Sequence, residues 1–329
     1  MKTSRSGKSG ASGRSAAAPR PPRRGEPRAP ANAAVGAVKI THPERLAYPD
    51  AKVTKLMVAE YYARVADRLL PFIADRPLSI VRCPDGVGAP CFFQKHMGKY
   101  AIPGIEVVMI DESTGRNPYA IANRVEALVG LAQWNVLELH IWGSTAPAID
   151  RPDTLVLDLD PDPALPWSAL TAAARDVRAL LESLELASFV KTTGGKGLHV
   201  VVPLQRRQSW DEVRAFAHGV AMHLTRTSPE RFTATPGESK RRGKIFVDYL
   251  RNSRGATAVA PYSLRARPGA TVSTPLSWEE LAAPKNAPPS AFTIATVPQR
   301  IARKKDPWAD YGARRQRLAA KALGALQRR

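Results

Sequence analysis

The 329-residue sequence contains very little cysteine: Cys83 and Cys91 are the only two. They form no CxxC pair and have no histidine at zinc-ligand spacing, so we expect buried free thiols rather than a disulfide or a zinc site. Any bound metal would therefore have oxygen ligands. The sequence also lacks a run of 18 apolar residues and an apolar N-terminal signal segment, so we expect a cytoplasmic protein without a membrane partner.

Positive charge is abundant and lies mainly at the two ends of the chain. The net charge is +20, of which residues 1–30 carry +7 and residues 299–329 carry +8. Residues 1–34, which have few large apolar side chains, are predicted to form a disordered basic tail. Residues 299–329 are predicted to form a basic helical segment, with Leu318, Leu323 and Leu326 on its apolar face. Both ends suit a polyanionic partner such as nucleic acid, although they could simply keep the protein soluble.

Residues 35–298 are predicted to form one domain of alternating helices and strands. Thr54 is the predicted N-cap of an amphipathic helix. Its predicted buried side chains are Val58, Tyr61, Tyr62, Val65 and Leu69. Residues 121–139 are predicted to form a second, largely buried helix. The strands at residues 188–193 and 198–204 are separated by a glycine turn short enough for an antiparallel hairpin. We therefore expect an α+β fold with a mixed or antiparallel sheet flanked by helices, rather than a doubly wound parallel sheet.

The predicted strand TLVLDLDPDP carries two acids where core residues should stand. Because side chains alternate along a strand, Asp158 and Asp160 share one face with Val156, and the leucines share the other. Proline cannot continue the hydrogen-bonded ladder, so the strand is predicted to end just after Asp160. The two carboxylates are therefore predicted to lie at a strand end.

The hairpin turn TTGGKGLHV adds a possible phosphate-binding element. Its glycines, Gly194, Gly195 and Gly197, permit positive φ and close backbone approach, Lys196 supplies a charge at the tip, and His199 begins the returning strand. The segment is neither GxxxxGK[ST] nor GxGxxG, so by itself it could be an ordinary tight turn.

A third acid, Asp248, follows in GKIFVDYLRN on the strand face shared by Phe246 and Leu250. Alone it could be a salt-bridged core aspartate. Three buried carboxylates repel one another unless cations neutralise them, and Mg²⁺ or Mn²⁺ prefers oxygen ligands. Two such ions can activate a 3′-hydroxyl and stabilise a leaving pyrophosphate while Lys, His and Arg hold the triphosphate. The combination predicts a nucleotidyltransferase that uses nucleoside triphosphates.

The motifs also resemble those of a known family. DLDP, TTGGKGLHV and FVDYLRNSR resemble, in order and spacing, three motifs of the archaeo-eukaryotic primase superfamily. Together with THPERLAYP, CFFQKH, LELHIWGS and APYSLRARPGATVSTPLSWEEL, they are most similar to the polymerase domain of the bacterial non-homologous end-joining ligase, ligase D, over residues 38–297. The resemblance implies a primase-like catalytic core with an N-terminal α/β portion.

The resemblance implies a role for each matching residue. The metal-binding acids would be Asp158, Asp160 and Asp248. The residues near the incoming nucleotide would be His140, Thr193, Lys196, His199 and Arg265, with His140 beside the sugar. Thr193 stands where serine is frequent in the family, but a hydroxyl is kept.

Two further pairs match DNA-contacting positions of the family. Phe92 and Phe93 match an aromatic pair that stacks on template bases, although two adjacent phenylalanines would ordinarily be core. Arg45 and Lys55 match positions that bind a 5′-phosphate, with Arg45 where lysine is frequent; both could equally be solvated surface charges. The implied partners are gapped or broken DNA with 5′-phosphate ends, Ku, and a separate DNA ligase, because no ligase adenylating motif is visible. The implied location is the bacterial cytoplasm, at the nucleoid, and ribonucleotides are the expected preferred substrates.

Two alternatives remain at this point. A replicative primase or primase-polymerase would share the three acids, although many carry a zinc element that two cysteines cannot complete as a four-cysteine site. An inactive nucleic-acid-binding protein would explain the basic ends and the Phe pair. It would have no use for three converging carboxylates, which repel DNA.

Overall fold

The structure is a computed structural model. It describes residues 32–98, 101–283 and 287–319, together with Ala322 and Leu326. Residues 1–31, which make up most of the predicted basic tail, lie outside the described residues. The first strand begins at Asn32, within the range predicted as tail.

The described residues form short strands and six α-helices. The helices are α1 (Lys55–Ile73), α2 (Val125–Gln133), α3 (Trp167–Ser183), α4 (Trp210–Thr227), α5 (Trp278–Ala282) and α6 (Thr296–Arg303). The strands are β1 (Asn32–Val35), β2 (Val38–Thr41), β3 (Leu46–Tyr48), β4 (Val53–Thr54), β5 (Leu78–Arg82), β6 (Phe92–Gln94), β7 (Glu106–Glu112), β8 (Gly115–Ile121), β9 (Val136–Trp142), β10 (Thr154–Pro161), β11 (Phe189–Thr192), β12 (Leu198–Pro203), β13 (Phe232–Thr233), β14 (Ile245–Asp248), β15 (Thr257–Val259) and β16 (Pro275–Leu276). None of the helices in the described ranges has the length and apolarity needed to cross a membrane.

Two larger sheets organise the fold. The acid-bearing sheet has the strand order β13-β14-β10-β12-β11-β16, in which β13 and β14 are parallel and the other neighbours are antiparallel. The histidine-bearing sheet has the order β15-β9-β5-β8-β7, is antiparallel, and adds β6 against β5. The predicted α+β class with a mixed sheet and the predicted β11–β12 hairpin are confirmed.

The α1 helix forms as its sequence predicts. The Thr54 side chain accepts a hydrogen bond from the Met57 backbone N–H at 3.3 Å, which satisfies one of the free N–H groups at the helix start. All five side chains of the predicted apolar face are buried. The hydroxyls of Tyr61 and Tyr62 donate to the backbone carbonyls of Tyr262 and Leu137, so this face can bury phenols without leaving them unpaired.

The predicted long helix at residues 121–139 is wrong at its C-terminal end. The α2 helix ends at Gln133, Asn135 adopts a positive φ of 60°, and β9 then begins at Val136. A continuous apolar run suits a buried helix and a buried strand equally, so hydrophobicity alone could not locate the change. The consequence is functional, because β9 carries Glu138 and His140.

Helices α3 and α4 pack against one face of the acid-bearing sheet. The α3 and α4 helices contact β10, and the leucines of β10 belong to the main hydrophobic core with α3 and α4 side chains such as Val177 and Phe216. On the opposite face, Val156 and Val201 pack with Trp308 from the C-terminal segment. The acids of β10 share this second face, which is turned toward the cleft between the two sheets.

The C-terminal segment follows the body of the protein. Between Lys304 and Ala319 it is irregular. Trp308 donates from Nε1 to the Val190 carbonyl at 3.1 Å, and the Tyr311 hydroxyl is 3.2 Å from the Thr154 hydroxyl. Leu318 is buried but not helical, Ala322 and Leu326 are buried and helical, and Leu323 lies outside the described residues.

The two cysteines form a disulfide, so the prediction of free thiols was wrong. The hairpin of β5 and β6 explains the pairing: Arg82 is opposite Phe92, and the next pair outward is Cys83 and Cys91. Their Cα atoms are 4.4 Å apart. Residue spacing alone could not reveal this juxtaposition, because the strand register creates it. The disulfide closes the loop that leads into Phe92.

We expect the disulfide to stabilise the fold measurably. Replacing both cysteines, Cys83→Ala with Cys91→Ala, should lower the free energy of unfolding by about 2–3 kcal/mol in non-reducing buffer, because closing an eight-residue separation restricts the unfolded chain. Denaturant titration would measure the change. In excess dithiothreitol the two proteins should differ little. Titration of two free thiols in unreduced, unfolded protein would contradict the disulfide.

Candidate active site

Four charged or polar side chains form a row across the acid-bearing sheet. Asp158 of β10 is directly opposite Asp248 of β14 on one side and His199 of β12 on the other, and His199 is directly opposite Lys191 of β11. Directly opposed residues share a face of the sheet. Asp160 lies on the same face, two residues farther along β10. All four residues of the row are buried.

Arginines separate the carboxylates. Arg251 Nε lies 3.2 Å from an oxygen of Asp158 and 3.2 Å from an oxygen of Asp248. Arg241 Nη1 lies 3.6 Å from an oxygen of Asp160. Without such cations, like charges held on adjacent strands would raise one another's pKa or push the strand ends apart.

The acids consequently have different proton affinities. Burial opposes ionisation of Asp158, but His199, Arg251 and Lys191 outweigh it and hold the pKa of Asp158 below its ordinary range. Burial and the neighbouring charge of Asp158 raise the pKa of Asp160 to about 6. Burial also raises the pKa of Asp248, although Arg251 acts in the opposite direction.

His199 and Lys191 occupy the buried end of the row. Burial, assisted by the charge of Lys191, lowers the pKa of His199 to about 4, so the imidazole is neutral at pH 7. Its Nε2 is 3.4 Å from Asp158 Oδ1. Burial lowers the pKa of Lys191 well below that of a solvated lysine, and its ammonium donates to the Ser273 hydroxyl at 2.7 Å.

The glycine turn fits closely beside the acids. Gly194 has a φ of 68°, and a side chain there would collide with Arg265. A Cβ on Gly197 would lie 2.8 Å from the Leu159 carbonyl and 3.5 Å from the Oδ1 atoms of both Asp158 and Asp160. Gly194 therefore needs its positive φ. Gly197 does not have a positive φ, and a glycine is required there because the turn passes so close to β10. The Thr193 hydroxyl accepts from the Gly195 N–H at 3.2 Å, which shapes the turn.

The histidine-bearing sheet supplies the opposite wall. Glu138 and His140 stand two residues apart on β9, so they share a face, and His140 Nε2 lies 2.7 Å from Glu138 Oε2. Arg265 Nε lies 3.1 Å from the same oxygen, and the other end of Arg265 donates to the Thr193 carbonyl. Arg265 therefore links this wall to the glycine turn.

The two walls enclose a cleft of about 390 Å³. Seven of the residues predicted to bind metal or nucleotide line it: His140, Asp158, Asp160, Thr193, Lys196, His199 and Arg265. Asp248 does not line the cleft, but Arg251, which contacts Asp248 at 3.2 Å, does. Arg241, Arg251 and Arg267 also line it. An open, polar cleft with acids at one end and five cations around it suits a nucleoside triphosphate.

Phe92 and Phe93 are not core residues. Each is 59% exposed on β6. The Phe93 ring meets the His140 ring edge to face, with centroids 5.7 Å apart, so the pair borders the cleft. Glu112 on β7 holds the residues that follow, because it binds Lys95 and His96 at 2.5 and 2.7 Å.

Arg45 and Lys55 do not line the cleft but lie together at the start of α1. The Lys55 backbone N–H donates to the Arg45 carbonyl at 2.8 Å. Burial and the positive charge of Arg45 lower the pKa of Lys55 to about 8. Arg45 also donates to the Pro84 carbonyl at 3.2 Å, within the disulfide-closed loop that leads to Phe92. The two neighbouring cations repel each other, and a bound anion would relieve that repulsion.

Carboxylate oxygens are suitable ligands for a divalent cation. The three acids, however, do not converge on one point. Asp158 Oδ1 is buried, with His199 Nε2 3.4 Å away, and it faces the space beside Gly197 that Asp160 Oδ1 also faces. Within residues 32–98, 101–283 and 287–319, no three Asp, Glu, His or Cys side chains lie close enough to hold a metal. Arg251 occupies the position between Asp158 and Asp248.

Three contributors to the site received no role from the sequence: Glu138, Lys191 and Arg241. Glu138 and Lys191 carry the same signal that drew attention to Asp158, a charge inside an otherwise apolar strand. Arg241 sits among other basic residues, and nothing in the sequence distinguishes the one that reaches an acid.

Comparison with known proteins identifies the family. Residues 54–308 match the family described as LigD, primase-polymerase domain. The chain is 48% identical over 307 residues to the multifunctional non-homologous end joining protein LigD of Pseudomonas aeruginosa, covering 91% of this chain and 36% of that protein. It is 31% identical over 275 residues to the bifunctional non-homologous end joining protein LigD of Bacillus subtilis, covering 83% of this chain and 44% of that protein.

A solved structure shows the same fold. The polymerase domain from Mycobacterium tuberculosis ligase D in complex with DNA superposes with a TM-score of 0.78 and 34% sequence identity, over 84% of this chain and 98% of that one. The match therefore includes nearly all of that polymerase domain.

Fold and site together define a nucleotidyltransferase of the polymerase kind. The chain belongs to the LigD primase-polymerase domain family. The two relatives compared above are both named as non-homologous end joining proteins. It spans about a third of the P. aeruginosa relative. The matches favour neither a replicative primase nor an inactive nucleic-acid-binding protein.

The raised pKa of Asp160 predicts a pH-dependent cost to stability. The ordinary pKa is near 3.8 and the folded value about 6, so stability falls as the pH rises through this window and the cost is complete above it. Asp160→Asn should therefore be more stable than wild type at pH 7.5, by on the order of 1 kcal/mol once solvent screening is discounted. At pH 4 the difference should nearly vanish. Thermal unfolding in EDTA would measure it.

Asp162→Asn is the matched control, because hydrogen bonds from the N–H groups of Ala164 and Gly243 lower the pKa of Asp162. A depressed pKa stabilises the fold above the ordinary value, so this variant should be less stable at pH 7.5. If both variants change stability in the same direction, the charge assignment at Asp160 is wrong.

Proposed function

We propose that this chain fills gaps and extends DNA ends during non-homologous end joining by transferring nucleotides from NTPs or dNTPs to a primer 3′-hydroxyl. The observation that carries the proposal is the row of Asp248, Asp158 and His199 facing a cleft lined by five cations. Acids at one end suit metal-assisted transfer, and the cations suit the triphosphate.

Each part of the cleft has a role in this proposal. Asp158, Asp160 and Asp248 would hold two Mg²⁺ or Mn²⁺ ions, which when bound activate the 3′-hydroxyl and stabilise the leaving pyrophosphate. Lys196, at the exposed tip of the glycine turn, and Arg265, fixed against Thr193, would hold the triphosphate. Neutral His199 lines the cleft beside Asp158, where it would lie next to the phosphates without adding a charge.

The sugar and the template would meet the histidine-bearing sheet. His140 lines the cleft opposite the acids, where it would contact the ribose and favour ribonucleotides over deoxyribonucleotides. The exposed Phe93, in contact with His140, would then stack with Phe92 on template bases next to the incoming nucleotide.

Arg45 and Lys55 would bind the 5′-phosphate at the downstream edge of a gap. They form a cation pair at the start of α1, where the helix dipole also favours an anion. Arg45 donates to the Pro84 carbonyl in the disulfide-closed loop that leads to Phe92 and Phe93. This hydrogen bond connects the proposed phosphate site to the proposed template site.

The partners follow from this reaction. A polymerase that acts on breaks needs an end-binding partner such as Ku and a ligase to seal its product, and its DNA lies at the bacterial nucleoid. The solved ligase D polymerase domain was determined in complex with DNA. The excess of basic residues at both ends of the chain favours binding to DNA in general.

The direct test is primer extension on a gapped duplex. Asp248→Asn should reduce extension roughly 100-fold or more, because one of the acids at the reacting oxygens is lost. Binding to the duplex, measured by fluorescence anisotropy, should change little because most DNA affinity comes from phosphate contacts elsewhere. Asp67→Asn, an exposed acid on α1, is the control and should extend normally. Substantial extension by Asp248→Asn would exclude this residue from the reaction.

A second prediction isolates the 5′-phosphate site. Arg45→Ala combined with Lys55→Ala should weaken binding to a 5′-phosphorylated gap roughly tenfold or more, because charge-assisted contacts to the terminal phosphate are lost. Affinity for the same gap with a 5′-hydroxyl should change much less. Lys39→Ala removes an exposed cation on β2 and should affect neither substrate. Equal losses on both substrates would make Arg45 and Lys55 general DNA contacts.

A further inference from the structure

Glu138 is a buried carboxylate in the wall of the cleft that the polymerase reaction described above does not use. Its side chain is 7% exposed and has three polar partners, two through hydrogen bonds and one through an ion pair. Oε1 accepts the Ala266 backbone N–H at 2.7 Å. Oε2 lies 2.7 Å from His140 Nε2 and 3.1 Å from Arg265 Nε. One carboxylate thus contacts both the residue proposed at the sugar and a residue proposed at the triphosphate.

The charge states of this group are determined by its surroundings. Burial opposes ionisation of Glu138, but the hydrogen bond from His140 and the charge of Arg265 hold its pKa at about 2. Burial lowers the pKa of His140; Glu138 acts in the opposite direction, but the charges of Arg265 and Arg251 add to burial and the net shift is downward. At pH 7 the pair is therefore an ionised carboxylate beside a neutral imidazole.

This combination fixes the tautomer of His140. An ionised carboxylate has no proton to donate, so the short contact requires the imidazole proton to be on Nε2. A neutral imidazole carries only one such proton. Nδ1 is therefore a hydrogen-bond acceptor, and the Phe93 ring packed against His140 restricts the orientation of the imidazole.

We propose that Glu138 is a positioning residue that holds His140 as the Nε2–H tautomer, so that Nδ1 accepts a hydrogen bond from the 2′-hydroxyl of a ribonucleotide. The same carboxylate holds Arg265 toward the triphosphate. The 2′-hydroxyl can donate such a bond and a deoxyribose cannot, so the tautomer contributes to sugar discrimination. The part concerning the sugar rests on the proposed polymerase function, whereas the tautomer itself does not.

Glu138→Gln tests the proposal because it should reverse the tautomer. The Ala266 N–H keeps the amide oxygen at the position of Oε1, which places the NH₂ group against His140 Nε2. An NH₂ group can only donate there, so the imidazole proton moves to Nδ1 and the acceptor is lost. The NH₂ group also faces Arg265, which loses its anionic partner.

The expected kinetic result has two separate parts. The ratio of kcat/KM for ATP to that for dATP should fall roughly tenfold, as the loss of one hydrogen bond to the sugar predicts. KM should rise for both nucleotides, because Arg265 is no longer held. Glu112→Gln is the matched control: Glu112 is equally close to His96, at 2.7 Å on the same sheet, and its pKa is also about 2. This variant should leave the ATP to dATP ratio unchanged.

Long-range ¹⁵N–¹H correlation spectra of the six imidazoles provide a test that does not depend on activity. His140→Asn identifies the resonances of His140. Wild type at pH 7 should show the Nε2–H tautomer at this residue, and Glu138→Gln the Nδ1–H tautomer. An imidazolium or an Nδ1–H tautomer in the wild type would overturn the proposal even if Glu138→Gln failed to fold. An unchanged ATP to dATP ratio in a folded Glu138→Gln protein would also overturn it.

If the wild-type protein shows the expected tautomer but extends no primer, the proposed polymerase function fails and the tautomer assignment remains. If it extends primers with ATP and dATP equally well, the ribonucleotide preference fails while the polymerase function remains, and the role of Glu138 in sugar discrimination is excluded.

Discussion

The structure depends on holding three carboxylates at the end of one sheet. Asp158 and Asp248 are opposed on adjacent strands and Asp160 follows on the same face, so their mutual repulsion must be offset. Arg251 stands between the first two, Arg241 approaches the third, and Lys191 lies beyond His199. This arrangement leaves the acids with unequal pKa values, with Asp158 held ionised and Asp160 nearer to protonation.

The opposite wall is organised around a single buried acid. Glu138 neutralises Arg265 and orients His140, and Arg265 then reaches across to the turn of the acid-bearing sheet. A chain of polar contacts therefore links the two walls of the cleft. Such a chain gives a defined geometry without filling the space that a nucleotide must occupy.

The outer part of the molecule presents the groups proposed to contact DNA on a constrained loop. The disulfide of Cys83 and Cys91 closes the β5–β6 hairpin, Phe92 and Phe93 emerge directly after it, and Arg45 contacts the loop from the other side. Glu112 anchors the continuation of the chain through Lys95 and His96. Exposed aromatic rings lose less conformational freedom on stacking when the backbone beneath them is already held.

Side-chain alternation along a strand, and the inability of proline to continue a hydrogen-bonded ladder, were enough to predict that Asp158 and Asp160 share a face at a strand end. The short glycine turn was enough to predict that TTGGKGLHV turns back as a hairpin. The cap at Thr54 and the buried face of α1 were also determined locally. Tertiary structure alone decided which partners these residues meet. Strand register placed Cys83 beside Cys91 and Lys191 beside His199, and packing of two sheets brought Glu138 to Arg265 from 127 positions away in the sequence. Local periodicity carries no information on such pairings, because it describes which face a side chain occupies and not which strand lies opposite.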